Sequence, residues 1–213
     1  MVYALNELDE KMLKYLNFNN GFFIEAGAND GISQSNTCLY EKEYGWNGLL
    51  IEPNLLKCLQ CKNNRPNSIV ENYALVSRNY EYDFIDGDFG HEDYNGSLMA
   101  MVLDEGDWCD DVMKNSQKNR KENTNILKVP AITLDKLLKK HNIKKIDFFS
   151  LDVEGYEISV LNGFDIEKFL PTYMLIETTT YQNRIDIIFE YMENKNYKVV
   201  ERLSCNDFLF TIK

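Results

Sequence analysis

Seven consecutive positions, Glu25-Ala26-Gly27-Ala28-Asn29-Asp30-Gly31, bring two carboxylates, an asparagine and two glycines to the end of the apolar run GFFIEAG (21–27). Glycine lets a backbone turn sharply and approach a ligand with no Cβ in the way. A strand, a glycine turn and then a helix put such a loop at the carboxyl edge of a parallel sheet, where α/β folds bind ligands. The spacing is not GxGxxG, so the glycine that admits a pyrophosphate in dinucleotide-binding proteins is missing. Glu25 and Asp30 beside the turn suit a ligand that carries ammonium or sulfonium charge and no phosphate.

Two further sets of acids extend the pattern. Glu52 ends the second apolar run, GLLIEP (48–53). A carboxylate about 20–30 residues past a glycine turn is placed to accept both ribose hydroxyls of an adenosine. Asn72 and Ala74, in the third run SIVENYALVS (68–77), then fall near the adenine. S-adenosylmethionine is a ligand with both cations, an adenosine and no phosphate. The third set is Ser150-Leu151-Asp152-Val153-Glu154-Gly155-Tyr156-Glu157, with Glu177 closing the next apolar strand in MLIET. Carboxylates this dense at a strand end repel one another unless something positive or protonated sits among them.

The elements that must position these residues alternate between apolar runs and helical patterns, the signature of α/β construction with a mostly parallel sheet. Helical patterns are expected near 34–44, at 54–63 and near 183–193, and an added strand at 80–86. ILKVPAITLDKLLKKH (126–141), IDFFSLDVEG (146–155) and PTYMLIETT (171–179) continue the alternation. YKVVERL (197–203) and DFLFTIK (207–213) read as a closing antiparallel pair. The reading is one domain over 1–213, with 1–20 an N-terminal helical extension. Between 87 and 125 the pattern dissolves into Gly, Asp, Asn and Lys around isolated apolar residues such as Trp108. A polar segment that long inside a compact domain is expected to be a lid or acceptor-binding insertion.

Composition narrows the partners. The 213 residues carry a formal net charge of −11, which disfavours a phosphate-rich nucleic acid. No stretch approaches the roughly 18 apolar residues of a membrane helix. The N-terminus is acidic early and has no basic n-region, so a cytoplasmic location is expected. Of five cysteines, Cys58 and Cys61 form one CxxC inside a helical pattern, without the second pair or histidines that zinc requires. They read as reduced thiols.

Taken together, EAGANDG, the SNT at 35–37, YGWNGLLIEP at 44–53, TLD at 133–135 and SLDVEGYEISVLNGFD at 150–165 resemble the FkbM-like methyltransferases. The resemblance runs from about residue 21 to about 178, and the order of glycine loop, IEP and DVEG is what makes it specific. It implies a Rossmann-like class I methyltransferase fold with helices on both faces of the sheet. It also implies S-adenosyl-L-methionine as cofactor and transfer of a methyl group to an oxygen, frequently a sugar hydroxyl of a glycan or glycolipid precursor. The cofactor positions it carries over are Glu25, Gly27, Asn29, Asp30, Gly31, Ser35, Asn36, Glu52 and Asp152.

It does not identify a general base, for which Asp152, Glu154, Glu177 and His91 are the candidates. A magnesium ion shared by Asp152 and Glu154 is an open variant, since hard cations favour carboxylate oxygen. The acceptor is expected to be a saccharide, with glycosyltransferase domains conceivable in a longer parent chain. The rival readings are an NAD-dependent oxidoreductase or nucleotide-sugar epimerase, and a methyltransferase-like module that only binds.

Overall fold

A computed structural model describes residues 2–88, 101–103, 126–178 and 182–213. A 3-10 turn at Leu5–Glu7 leads into two short helices, α1 (Leu8–Lys11) and α2 (Leu13–Leu16). The chain then runs β1 (Phe22–Ala26), α3 (Cys38–Tyr44), β2 (Asn47–Ile51), α4 (Leu55–Asn64) and β3 (Ile69–Glu71). After β4 (Ala74–Leu75), β5 (Phe84–Asp88), β6 (Met101–Leu103) and β7 (Ile126–Ile132) come α5 (Leu134–Lys140) and β8 (Phe148–Leu151). The last elements are α6 (Glu157–Asn162), α7 (Ile166–Phe169), β9 (Tyr173–Glu177), α8 (Gln182–Asn194), β10 (Tyr197–Arg202) and β11 (Asp207–Ile212). Local chemistry fixes several starts: the Asn54 side chain accepts from Leu56 N and Lys57 N to cap α4, and Thr133 accepts from Lys136 N to cap α5.

The main sheet has seven strands in the order β10-β11-β9-β8-β1-β2-β3. β3, β2, β1, β8 and β9 are parallel neighbours, and β11 runs antiparallel between β9 and β10. This is the mostly parallel, Rossmann-like sheet with a closing antiparallel pair that the sequence predicts. The order reverses at β1, whose two neighbours are β2 and β8. A crevice opens at such a reversal, outside the carboxyl ends of the strands.

Both faces of the sheet are covered, so its strands read as nearly continuous apolar runs. Side chains alternate between faces along a strand. Ile24, Leu49, Ile51, Phe149, Leu151, Met174 and Ile176 pack with residues of α5, α6, α7 and α8 on one side. Phe23, Leu50, Phe148, Leu175 and Leu209 pack on the other with Leu8, Met12, Leu16, Tyr40, Trp46, Cys58 and Cys61. Cys58 and Cys61 are buried free thiols on one face of α4.

The third run departs from expectation. SIVENYALVS is two strands: β3 stays in the main sheet, while β4 leaves it to pair with β7. β4, β7, β5 and β6 form a second sheet, antiparallel except for the β4–β7 contact. Gly87 and Asp88 at the end of β5, together with β6, are the parts of the 87–125 insertion that are described. The rest of it, including His91, Tyr94 and Trp108, lies outside the described residues. Among the described residues no helix is long and apolar enough to cross a membrane.

Candidate active site at the carboxyl edge of the sheet

Strand parity decides where Glu25 goes. It follows Phe23 by two residues, so it faces the α1–α4 side, beneath the segment that leads into α3. Its exposure is 4%. Oε1 accepts from Asn36 N at 2.7 Å, and Oε2 accepts from the hydroxyls of Ser35 at 2.9 Å and Thr37 at 2.6 Å. Burial pushes its carboxyl up, against the pull of nearby Arg65 and these hydrogen bonds. Asp30 is spent in a similar way: Oδ1 accepts from Ile32 N and Ser33 N, and Oδ2 from the Ser33 hydroxyl. Burial raises its pKa, but these hydrogen bonds and the charge of Lys57 together outweigh burial, and the net shift is downward. Both acids therefore have a role in building the loop that requires no cationic ligand.

The glycines are explained by what they touch. Gly27 has φ +87°, and a Cβ there would lie 1.9 Å from the Asp152 carbonyl oxygen. Gly31 has φ +80°, and a Cβ would lie 2.8 Å from Cys61 Sγ and from Arg65 Cγ. Gly27 thus seats the end of β1 directly against the end of β8, and Gly31 seats the loop on α4. Gly27 is itself exposed at the sheet edge, so its backbone is also open to a ligand.

Glu52 joins the ends of β1 and β2. Oε2 accepts from Asn29 N at 2.8 Å and Oε1 from Asn54 N at 2.8 Å. At 5% exposure its carboxyl is pushed up to about 7, mainly by burial. One donor on each oxygen leaves further lone-pair directions on an ionised carboxylate, which can accept about four hydrogen bonds. The Asn72 amide donates to the carbonyls of Glu52 and Pro53, both at 2.8 Å, and so fixes the turn that carries Glu52. Ala74 does not share that position: it is 2% exposed in β4 and packs with Val76, Ile85 and Val129. β4 leaves the main sheet, so Ala74 is carried by the second sheet and not by the strand that ends beside Glu52.

Ser35 and Asn36 are 3% and 7% exposed. The Asn36 amide donates to Ser150 Oγ on β8 at 3.0 Å, spanning the point where the strand order reverses. Its Oδ1, and that of Asn29, are buried without a protein partner.

Register assembles the acids of the other half. Leu151 pairs with Ile176 and Glu177 pairs with Asp207, so Asp152, Glu177 and Asp207 stand in one row across the ends of β8, β9 and β11. Burial, the charges of Glu177 and Glu154, and a hydrogen bond shared with Glu177 hold Asp152 well above the usual carboxylate range. Burial and the Glu177 charge also raise Asp207, against the hydrogen bond donated by Ser204. Glu157 accepts from Val153 N and Gly155 N, yet burial still pushes it up to about 7. Glu154, at φ +55°, stands in the same turn.

The structure therefore brings Asp152, Glu154 and Glu177 together, while His91 lies outside the described residues. Among the described residues no group of three or more His, Cys, Asp or Glu is disposed to hold a metal. Sequence reasoning missed Asp207 and Arg65 as parts of the site, and it named Glu157 and Thr37 within motifs without giving them a role there. Asp207 opens the last apolar run, DFLFTIK. Arg65, in NNRPN after α4, carries no such signal.

A family model for the methyltransferase FkbM domain matches residues 25–199, and the chain belongs to that family. No curated protein matches it. One similar solved structure is a TehB-like SAM-dependent methyltransferase from Corynebacterium glutamicum, with 9% identity over 97% of this chain and 88% of that one, at a TM-score of 0.43. At that score the likeness adds nothing to the strand order. Fold and family make the chain a methyltransferase and set aside the oxidoreductase and epimerase readings.

Proposed function

We propose that the protein is an S-adenosylmethionine-dependent O-methyltransferase acting on a sugar hydroxyl. The observation that carries the reading is the Glu52 bridge: a single carboxylate holds the glycine loop through Asn29 N and keeps acceptor capacity for a ribose diol. The buried, unpartnered Oδ1 atoms of Asn29 and Asn36 fit a ligand that carries N–H or O–H donors, as this cofactor does. Glu52, Asn29 and Asn36 would hold it, with Gly27 keeping the edge free of a side chain. When bound, the cofactor supplies an electrophilic methyl group on a sulfonium.

The chain's own task is to align the acceptor oxygen and take its proton. Alignment alone can contribute several kcal/mol. Asp152 stands opposite Glu177 at the strand ends, and its backbone carbonyl lies against Gly27, which supports a base next to the loop. A carboxylate raised by burial and a like-charged neighbour is, once ionised, a stronger base than an exposed one. In this reading Asp152 receives the hydroxyl proton and Glu177 sets its proton affinity. The residue types of the 87–125 insertion, Asp and Asn with Tyr94 and Trp108, suit hydrogen bonding and stacking to a sugar.

The reading is tested by incubating the protein with S-adenosylmethionine and panels of oligosaccharides, peptides, phenols and nucleic acids, followed by mass spectrometry. A methyl group added to a saccharide is the expected result. Methylation of peptides or phenols alone would overturn the acceptor and leave the donor standing. Donor binding without turnover on any panel would favour a binding module.

A further inference from the structure

The loop from Gly27 to Thr37 has little regular structure to hold it. Asn29 (φ 49°), Gly31 (φ 80°) and Gln34 (φ 61°) are all left-handed, and two of the three carry side chains. Its internal backbone bonds include Gly31 N to Ala28 O and Ser35 N to Ile32 O. Non-glycine residues persist in that region only where their surroundings over-determine them.

The surroundings converge on one side chain. Arg65 follows the last residue of α4, where its N–H bonds back to Cys61 O, and it is fully buried. Nη1 donates to Gly31 O at 2.9 Å and Ser35 Oγ at 3.2 Å, and Nη2 donates to Thr37 Oγ1 at 3.0 Å. Nε donates to Glu41 Oε2 on α3 at 2.9 Å, and Nη1 lies 3.8 Å from Glu25 Oε2. Glu41 also accepts from the Ser68 hydroxyl. The guanidinium lies 5.2 Å from the Phe23 ring centroid.

We infer that Arg65 is the positioning residue of the donor loop: it sets the conformation in which residues 29–36 meet the cofactor while touching no reacting atom itself. The inference rests on the reading of that loop as the donor site. Stability alone does not explain the arrangement, because a buried ion pair is often replaceable by apolar residues of similar volume at no cost. What apolar residues cannot supply is a rigid planar fork that fixes a carbonyl, two hydroxyls and a carboxylate at set angles. The loop needs such a fork because its left-handed residues and its Asn36 contact to β8 must be held at once. Glu52 pins the loop at Asn29, and Arg65 pins it from Gly31 to Thr37, where Glu25 holds Ser35, Asn36 and Thr37 alongside it.

The test compares Arg65→Lys with Met192→Ala, a cavity in the opposite core chosen to match or exceed its loss of thermal stability. Affinity for S-adenosylmethionine is measured by calorimetry, and backbone amide exchange is followed over 29–37 and over β8 and β9. Arg65→Lys should weaken binding about tenfold or more, whereas Met192→Ala should leave it within about twofold. Exchange over 29–37 should rise in Arg65→Lys alone, with β8 and β9 still protected. Equal affinity losses in the two variants, or an unchanged loop in Arg65→Lys, would overturn the inference. Should Arg65→Lys fail to fold, Thr37→Val removes one anchor of the fork, and it must weaken binding and loosen the loop in the same direction. If the wild-type protein takes up no S-adenosylmethionine, the donor reading falls, and loop exchange alone decides whether Arg65 positions this segment.

Discussion

At the ends of β1 and β2, Glu25 and Glu52 each receive protein hydrogen bonds on both oxygens, and Arg65 adds a cation beside Glu25. At the ends of β8, β9 and β11, Asp152, Glu177 and Asp207 stand side by side, and none makes an ion pair with Lys or Arg among the described residues. The two regions are halves of one sheet edge, meeting where Gly27 lies against the Asp152 carbonyl. The first gives much of its hydrogen-bonding capacity to its own loop. The second is crowded: the charges of Glu177 and Glu154 add to burial in raising Asp152, whereas burial alone raises Glu25 and Glu52. On the proposed reading, the satisfied acids are structural and the crowded ones are those assigned to proton transfer.

The contrast is broken most severely by Asp152→Asn. If Asp152 takes the acceptor proton, kcat should fall by about 10²–10⁴-fold, the usual contribution of a positioned base. Affinity for S-adenosylmethionine should change little, because the donor loop is held from the other half. Since Asp152 is raised well above the usual carboxylate range, wild-type kcat/KM should fall as pH drops through that elevated value, where the base becomes protonated. Single-turnover rates across pH would check both points. A mutant with comparable kcat would move the base to Glu177 or His91.

Glu52→Gln tests the first half with a smaller effect. Replacing the charge should cost about 1.5–3 kcal/mol of binding, roughly ten- to hundredfold in affinity. Its carboxyl is pushed up to about 7, so wild-type affinity should weaken below that pH as the acceptor is protonated, and the variant should lose the dependence. For the ligand-free fold the sign is opposite. A raised folded pKa favours the native state at low pH, so this group's contribution to stability is lost as pH rises from 4.5 to about 7. Calorimetry at several pH values resolves the two effects, and a flat wild-type affinity would remove Glu52 from the site.

How much of this was readable beforehand depended on whether a residue's role is local. The strand runs, the carboxyl-edge placement of Glu52, Asp152 and Glu177, and the closing antiparallel pair all follow from patterns within ten residues or so. The face to which Glu25 points does not. Apart from Glu25 itself, GFFIEAG is without polar side chains because both faces of the sheet are covered, so the alternation that assigns faces is absent from the sequence. Its partners Ser35, Asn36 and Thr37 require the loop to fold back, and Arg65 arrives from 40 positions further along the chain. SIVENYALVS reads as one strand because nothing in it announces that the Asn72 amide will be drawn to the carbonyls of Glu52 and Pro53. Asp207 was hidden for a different reason: only the register of β11 against β9 sets it opposite Glu177.

That register yields the smallest and most discriminating prediction. Asp207 is 8% exposed, lies beyond the stretch matched to the family model, and touches the crowded half through the charge it shares with Glu177. Asp207→Asn keeps an oxygen that can accept from Ser204 and removes one negative charge from the row. With fewer like charges nearby, the Asp152–Glu177 pair should lose its proton more readily. The low-pH limb of kcat/KM should therefore shift downward by a few tenths of a pH unit, about 0.5 kcal/mol or less. Plateau kcat and donor affinity should stay close to wild type. A plateau loss as deep as that of Asp152→Asn would mean that Asp207 handles the proton itself, and the crowded half would then be a three-membered relay. An unmoved limb would mean that the acids titrate independently, and the contrast between satisfied and crowded halves would lose its electrostatic basis.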